Sequence, residues 1–246
     1  LGTLEDSRAR PEFLAIERPA AALAMTRYLA LPGLDAASYR RHTLHSGDCV
    51  WVEKNCYTDV WIELVHALGL DPHAMLAFVL SVDIEGDQWT FFKPSHDDLY
   101  DLYGIDVQEL TVWRPLLDHA IEHLSNGKLI STEADAFWLP DTAGTDYRSR
   151  HTKTSIVLAD LDVGERRLGY FHNAGYFSLQ GEDFTHVFQL DNRYDPATLP
   201  LFAELIRVDR VKVLSNGELI DKVHRLIIKS LSRRPLNNPI ARFADR

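Results

Sequence analysis

Two cysteines, Cys49 and Cys56, are all that 246 residues contain. A secreted scaffold held by disulfides is therefore excluded, and a reducing cytoplasm is the expected setting. Apolar runs of membrane-spanning length are lacking, as is a signal-peptide pattern at the first residues, so neither a membrane partner nor export is expected. Positive charge is in deficit. The 26 Lys and Arg face 36 Asp and Glu, a net −10, which argues against general nucleic-acid binding. The chain has no Gly-rich phosphate loop, no dinucleotide fingerprint and no Gly-x-Ser-x-Gly elbow. Internal repeats and low-complexity tracts are also missing. What remains is ordinary globular composition, 46% hydrophobic and 25% charged, enough for one large domain or two small ones.

The stretch Asn55–Gly69 reads as a helix with a cysteine in its first turn. Val60, Trp61, Leu64, Val65 and Leu68 recur at helical spacing. Asn55 can cap the start, Asp59 adds negative charge near it, and Gly69 can end it. Cys56 then lies where helix N–H groups and the dipole favour negative charge, and the thiolate is the nucleophilic form of cysteine. Buried cysteines more often serve as small apolar fillers, so the helix alone does not establish a nucleophile.

Around it the patterns alternate between helix and strand. Residues 1–18 read as a polar arm, Pro19–Leu31 as an Ala-rich helix and Asp35–Arg41 as a short helix. Val50–Val52 reads as a short strand, and His73–Val82 fits a buried helix or strand equally well. Gln88–Lys93 is strand-like. Ser95 followed by Asp98 opens a helix that Gly104 closes, and Val107–Trp113 reads as an edge strand. Pro115–Ser125 is an amphipathic helix, Lys128–Leu139 a strand, and Pro140–Arg150 a turn-rich loop. Thr152–Leu161 and Arg167–Phe171 form a hairpin turning near Gly164, and Tyr176–Leu179 is a further short strand. Leu199–Val208 and Leu219–Ser232 read as helices. The predicted fold is α+β: a helix-borne cysteine packed on an antiparallel sheet near 128–180, in a domain spanning 1–190 with its core at about 40–190. Residues 191–246 form a helical C-terminal segment of the same or a separate unit.

A catalytic cysteine needs a base and a third group that holds the base in the right tautomer. In a Gly164 hairpin the end of the second strand returns beside the start of the first, which would make His151 a neighbour of His172-Asn173. Two metal-like spacings compete. Glu63-x-x-His66 has the spacing of a di-iron helix but lacks its second copy, and His119 and His123 lie four apart on a helix without the following Glu of a zinc protease. Both pairs are expected on polar faces, with no metal bound.

The segments Asn-Cys-Tyr-Thr-Asp at 55–59, His-Thr-Lys-Thr-Ser-Ile-Val-Leu from His151 and Gly-Tyr-Phe-His-Asn-Ala-Gly-Tyr-Phe from Gly169 carry a resemblance. Over roughly 40–190 the chain resembles an uncharacterised bacterial family distantly similar to the butirosin-type acyltransferases, which have a papain-like N-terminal domain. Those relatives move an acyl or aminoacyl group from a carrier-protein thioester to an amine. The resemblance implies a papain-like fold with Cys56 as nucleophile and His151 as base. The relatives carry an Asp where this chain has His172-Asn173. Asn173 would then orient His151 as an amide, with His172 beside it. The backbone N–H of Cys56 and the Asn55 side chain are the oxyanion-hole candidates, and Asp135 is expected to line the cleft. No cofactor is implied beyond the phosphopantetheine carried by the donor protein. A peptidase or amidase using water, and a non-catalytic binding protein on the same fold, are the alternative readings.

Charge is unevenly spread. Residues 201–246 hold ten Lys or Arg against five Asp or Glu, a balance of +5 that leaves −15 for the rest. Such a run usually marks a solvated face. The sharper expectation is a docking face for an acidic acyl carrier protein.

Overall fold

In the computed structural model, which describes residues 27–46, 55–191 and 201–245, the cysteine-bearing segment forms helix α1 (Cys56–Ala67). Asn55 caps it, its Oδ1 accepting from the Thr58 N–H at 3.1 Å, and Gly69 follows with φ of +73°. Every residue from Tyr57 to Val65 is buried, so α1 is a central helix rather than a surface one. The other helices are α2 (His96–Tyr103), α3 (Leu116–Ser125), α4 (Glu182–Val187), α5 (Asn216–Ser232) and α6 (Pro239–Ala244). The apolar run after Asp71-Pro72 resolves as a 3-10 helix, Pro72–Ser81.

The strands are β1 (Arg27–Leu29), β2 (Ile84–Glu85), β3 (Gln88–Trp89), β4 (Asp106–Glu109), β5 (Leu129–Asp135), β6 (Lys153–Asp162), β7 (Arg167–His172), β8 (Gly175–Gln180) and β9 (Ala203–Arg207). β2 and β3 make a small hairpin. The other seven form one antiparallel sheet in the order β4-β9-β5-β6-β7-β8, with β1 alongside β6. β6 is the organising strand. Its β-branched Thr-Ser-Ile-Val stretch lies in a buried run, and its first half pairs with β5. Its last three residues pair with β1, while β7 takes the other edge. α1 packs on β6, β7 and β8; α3 packs on β5 and β6; α5 covers the Pro72–Ser81 helix and touches α2. The result is the α+β class, helices on an antiparallel sheet.

Two expected helices are strands. Arg27–Leu29 lies in the Ala-rich stretch read as a helix, yet it pairs with β6, and the Arg27 guanidinium binds the buried Asp160 carboxylate through two hydrogen bonds of 2.9 Å. Within Leu199–Val208, Ala203–Arg207 is a strand between β4 and β5. Ala203, Glu204, Leu205 and Ile206 are all buried, and a strand covered on both faces has no alternation to distinguish it from a helix. Asp35–Arg41 forms turns rather than a helix, and the Gln88–Lys93 strand shrinks to two residues. Pro19–Thr26, Val50–Val52 and Cys49 lie outside the described residues. No helix among the described residues is long and apolar enough to cross a membrane.

Gly104 ends α2 in the left-handed region, φ +74°, and a Cβ added there would lie 2.1 Å from the Arg210 carbonyl oxygen. The clash is with backbone, which cannot swing aside. Gly104→Ala is therefore expected to lower stability by about 2–4 kcal/mol, combining left-handed strain with overpacking. The midpoint of urea unfolding checks this; an unchanged midpoint refutes it.

Candidate active site

β7 alternates its side chains, so Tyr170 and His172, two residues apart, project from the same side of the strand. Both reach the 3-10 turn Pro140–Thr142, where Asp141 receives them. Asp141 Oδ2 lies 2.6 Å from His172 Nδ1, and Asp141 Oδ1 accepts from the Tyr170 hydroxyl at 2.5 Å. On the other side of the ring, His172 Nε2 lies 2.8 Å from Thr154 Oγ1. The sheet register explains that contact. Val157 pairs with Phe171, so continuing the ladder puts His172 across from Ile156, and Thr154 is its diagonal neighbour on the same face.

This chain of side chains is buried. The His172 and Asp141 side chains are 2% and 3% exposed. Burial and the neighbouring Asp141 charge push the Tyr170 hydroxyl far above its ordinary range, so it is always a donor. With both Asp141 oxygens accepting, the proton between Asp141 and His172 belongs on Nδ1. In the neutral imidazole Nε2 then carries the lone pair, and the Thr154 hydroxyl can donate to it. That is the tautomer a general base requires.

Cys56, half-buried at the first position of α1, lines the same groove as Asp141, Thr154, His172 and Asn173, a cleft of about 590 Å³. A cysteine, an imidazole and a carboxylate therefore line one groove. Residues 40–208 match the DUF1839 N-terminal domain family, well over half of the chain, from ahead of α1 to just past β9. The chain belongs to that family. No curated protein and no solved structure matches it.

The expected site residues of this DUF1839 chain fall into two groups. Cys56, His172 and Asn173 line one groove. Asn173 occupies the tight β7–β8 turn at φ +45°, a conformation asparagine tolerates. His151 lies elsewhere. Its side chain is 69% exposed, its Nδ1 is 2.6 Å from Asp135 Oδ2, and its ring stacks on Phe137 at 4.4 Å. It precedes β6, while β7 is only six residues long against ten for β6, so β7 ends opposite the interior of β6. The hairpin thus brings His172 beside Thr154 rather than beside His151. Asp135 also caps the following turn through the Phe137 N–H and lines a different groove, with Trp138 and His186. The Asn55 side chain is committed at both ends, to the Thr58 N–H and, through Nδ2, to the Phe92 carbonyl. Capping and anchoring account for it fully.

The sequence reasoning missed Asp141, Thr154 and Tyr170. Tyr170 had a signal, its period-two relation to His172; Asp141 had none beyond membership of a turn-rich loop. Neither metal-like pair gathers ligands. Glu63 is buried against Tyr39 and His45, His66 bonds the Arg40 carbonyl, and His119 and His123 stack at 6.2 Å. Among the described residues no group of three or more His, Cys, Asp or Glu is placed to hold a metal ion. Within the basic segment, Arg207, Lys222, Lys229 and Arg242 pair with Asp106, Asp101, Asp98 and Asp83. Arg225, Arg233 and Arg234 have no acidic partner among the described residues.

Proposed function

We propose that this protein is a cytoplasmic, cysteine-dependent acyltransferase of papain-like organisation, with Cys56 as nucleophile, His172 as general base and Asp141 as the carboxylate that orients it. The observation that carries this reading is the bonded chain Thr154–His172–Asp141 opening onto the groove that Cys56 lines. The Thr154 hydroxyl turns from Nε2, and Nε2 takes the Cys56 thiol proton. The thiolate adds to the thioester carbonyl. The carbonyl–sulfur bond to the donor breaks, and the donor leaves as a thiol with the proton returned by the imidazolium. An amine then attacks the acyl–Cys56 thioester, His172 accepts its proton, and the amide forms as the Cys56 sulfur departs. Backbone N–H groups of the first turn of α1 are the oxyanion donors in this scheme. The donor is an acyl or aminoacyl carrier protein bearing phosphopantetheine. Its acidic surface would meet the +5 segment at 201–246 through arginines such as Arg225, Arg233 and Arg234.

The test is intact-mass measurement after mixing the protein with acyl-loaded carrier protein. An acyl adduct on the wild type that is absent in Cys56→Ala is expected. No adduct with any loaded carrier rejects the transferase. Loss of the adduct at the same rate with and without amines makes water the acceptor and the protein a hydrolase.

A further inference from the structure

Asp141 divides its carboxylate between two neighbours on one strand. Oδ2 serves the His172 imidazole and Oδ1 serves the Tyr170 phenol, at 2.6 and 2.5 Å. Tyr170 is fully buried, and both donors come from β7 at a spacing of two residues, so the strand geometry itself sets their separation. A carboxylate held by one oxygen alone can rotate about its Cβ–Cγ bond and tilt the imidazole that it holds. Held by both oxygens it cannot. The phenol also draws negative charge toward Oδ1, which tempers the pull of Oδ2 on the imidazole proton.

We infer that Tyr170 is a positioning residue of the site: its hydroxyl clamps Asp141 so that the carboxylate holds the His172 ring in place beside Thr154 at the wall of the groove. The inference rests on the reading of His172 as the base, and it concerns a residue that touches neither substrate nor sulfur. Tyr170→Phe keeps the ring and removes only the clamp. The acylation rate of Cys56 by loaded carrier protein is expected to fall about tenfold, the effect of losing one hydrogen bond to a charged group. The acid limb of the pH–rate profile is expected to move up by about half a unit to one unit, because an unclamped Asp141 stabilises the imidazolium more. 3-Fluorotyrosine placed at position 170 alone by codon suppression, a stronger donor in the same place, moves the limb the other way. A folded Tyr170→Phe protein with the wild-type rate and profile overturns the inference.

Failure of the functional reading is separable. If the wild type forms no acyl adduct, the clamp is still read from the His172 ring itself by nitrogen-edited NMR titration. The same upward displacement in Tyr170→Phe supports the clamp, and an unmoved His172 titration overturns it. Should Tyr170→Phe fail to fold, the His172 titration of the chain carrying 3-fluorotyrosine at position 170 alone decides: a downward displacement supports the clamp and an unmoved titration overturns it.

Discussion

Replacing His172 with alanine is expected to slow acylation of Cys56 by about 10²–10⁴-fold, the range typical of losing a positioned general base. The effect follows from position. His172 is an imidazole that shares a groove with the sulfur, and Asp141 sets the tautomer of its neutral ring. Asp141→Asn is the companion variant. It keeps the shape of the side chain but puts an amide where the Nδ1 proton needs an acceptor, and a loss of similar order is expected. His151→Ala should leave the rate within about twofold, because an exposed surface pair contributes little. Single-turnover acylation followed by intact mass, with thermal melts to exclude unfolding, checks all three. A large effect at His151 together with a small one at His172 would reverse the assignment of the base.

The second large effect concerns stability. Glu63 is fully buried on α1, where its carboxylate accepts from the Tyr39 hydroxyl at 2.7 Å, from the His42 N–H at 3.1 Å and from the His45 ring. Glu63→Ala leaves these donors unanswered and strips the buried His45 of a counter-charge, so a loss of about 3–5 kcal/mol is expected. For a chain of this size that is about 6–20 °C in Tm. The same cluster gives a pH dependence. Burial disfavours the His45 imidazolium, but Asp59 and Glu63 outweigh it and raise its pKa to about 9, above the 6.5 of a free histidine. Between those values the folded state holds a proton that the unfolded chain releases. Its contribution is complete below about pH 6.5 and is lost as pH rises through 9. Urea midpoints measured across that window should fall for the wild type and much less for Glu63→Ala. A flat wild-type profile would mean that His45 is neutral in the folded protein.

Much of this molecule was readable before any coordinates. α1, α3, α5 and the β6–β7 hairpin fall within a few residues of where periodicity, caps and turn residues put them, because each has one clear apolar pattern and a local stop signal. β9 was not readable, since burial on both faces erases alternation. Nor was β1, where the neighbouring Ala-rich composition pointed to a helix while strand pairing and the Arg27–Asp160 contact prevailed. In the candidate site, Cys56 and His172 were legible as chemistry-bearing residues, but their partnership was not. That depends on the lengths of two strands and on the one-residue shift between Leu158 and Asp160, neither of which the sequence shows. Asp141 was invisible for a related reason: a carboxylate in a turn gives no sign that it folds back onto a strand thirty residues later.

The threading of β9 between β4 and β5 bears on how this chain can be divided. A version cut at residue 190 would discard the partner of both strands, leaving two raw sheet borders open to any passing backbone. β9 is therefore mortar for the walls rather than part of an annex, and a search for the smallest working unit should stop no earlier than its end.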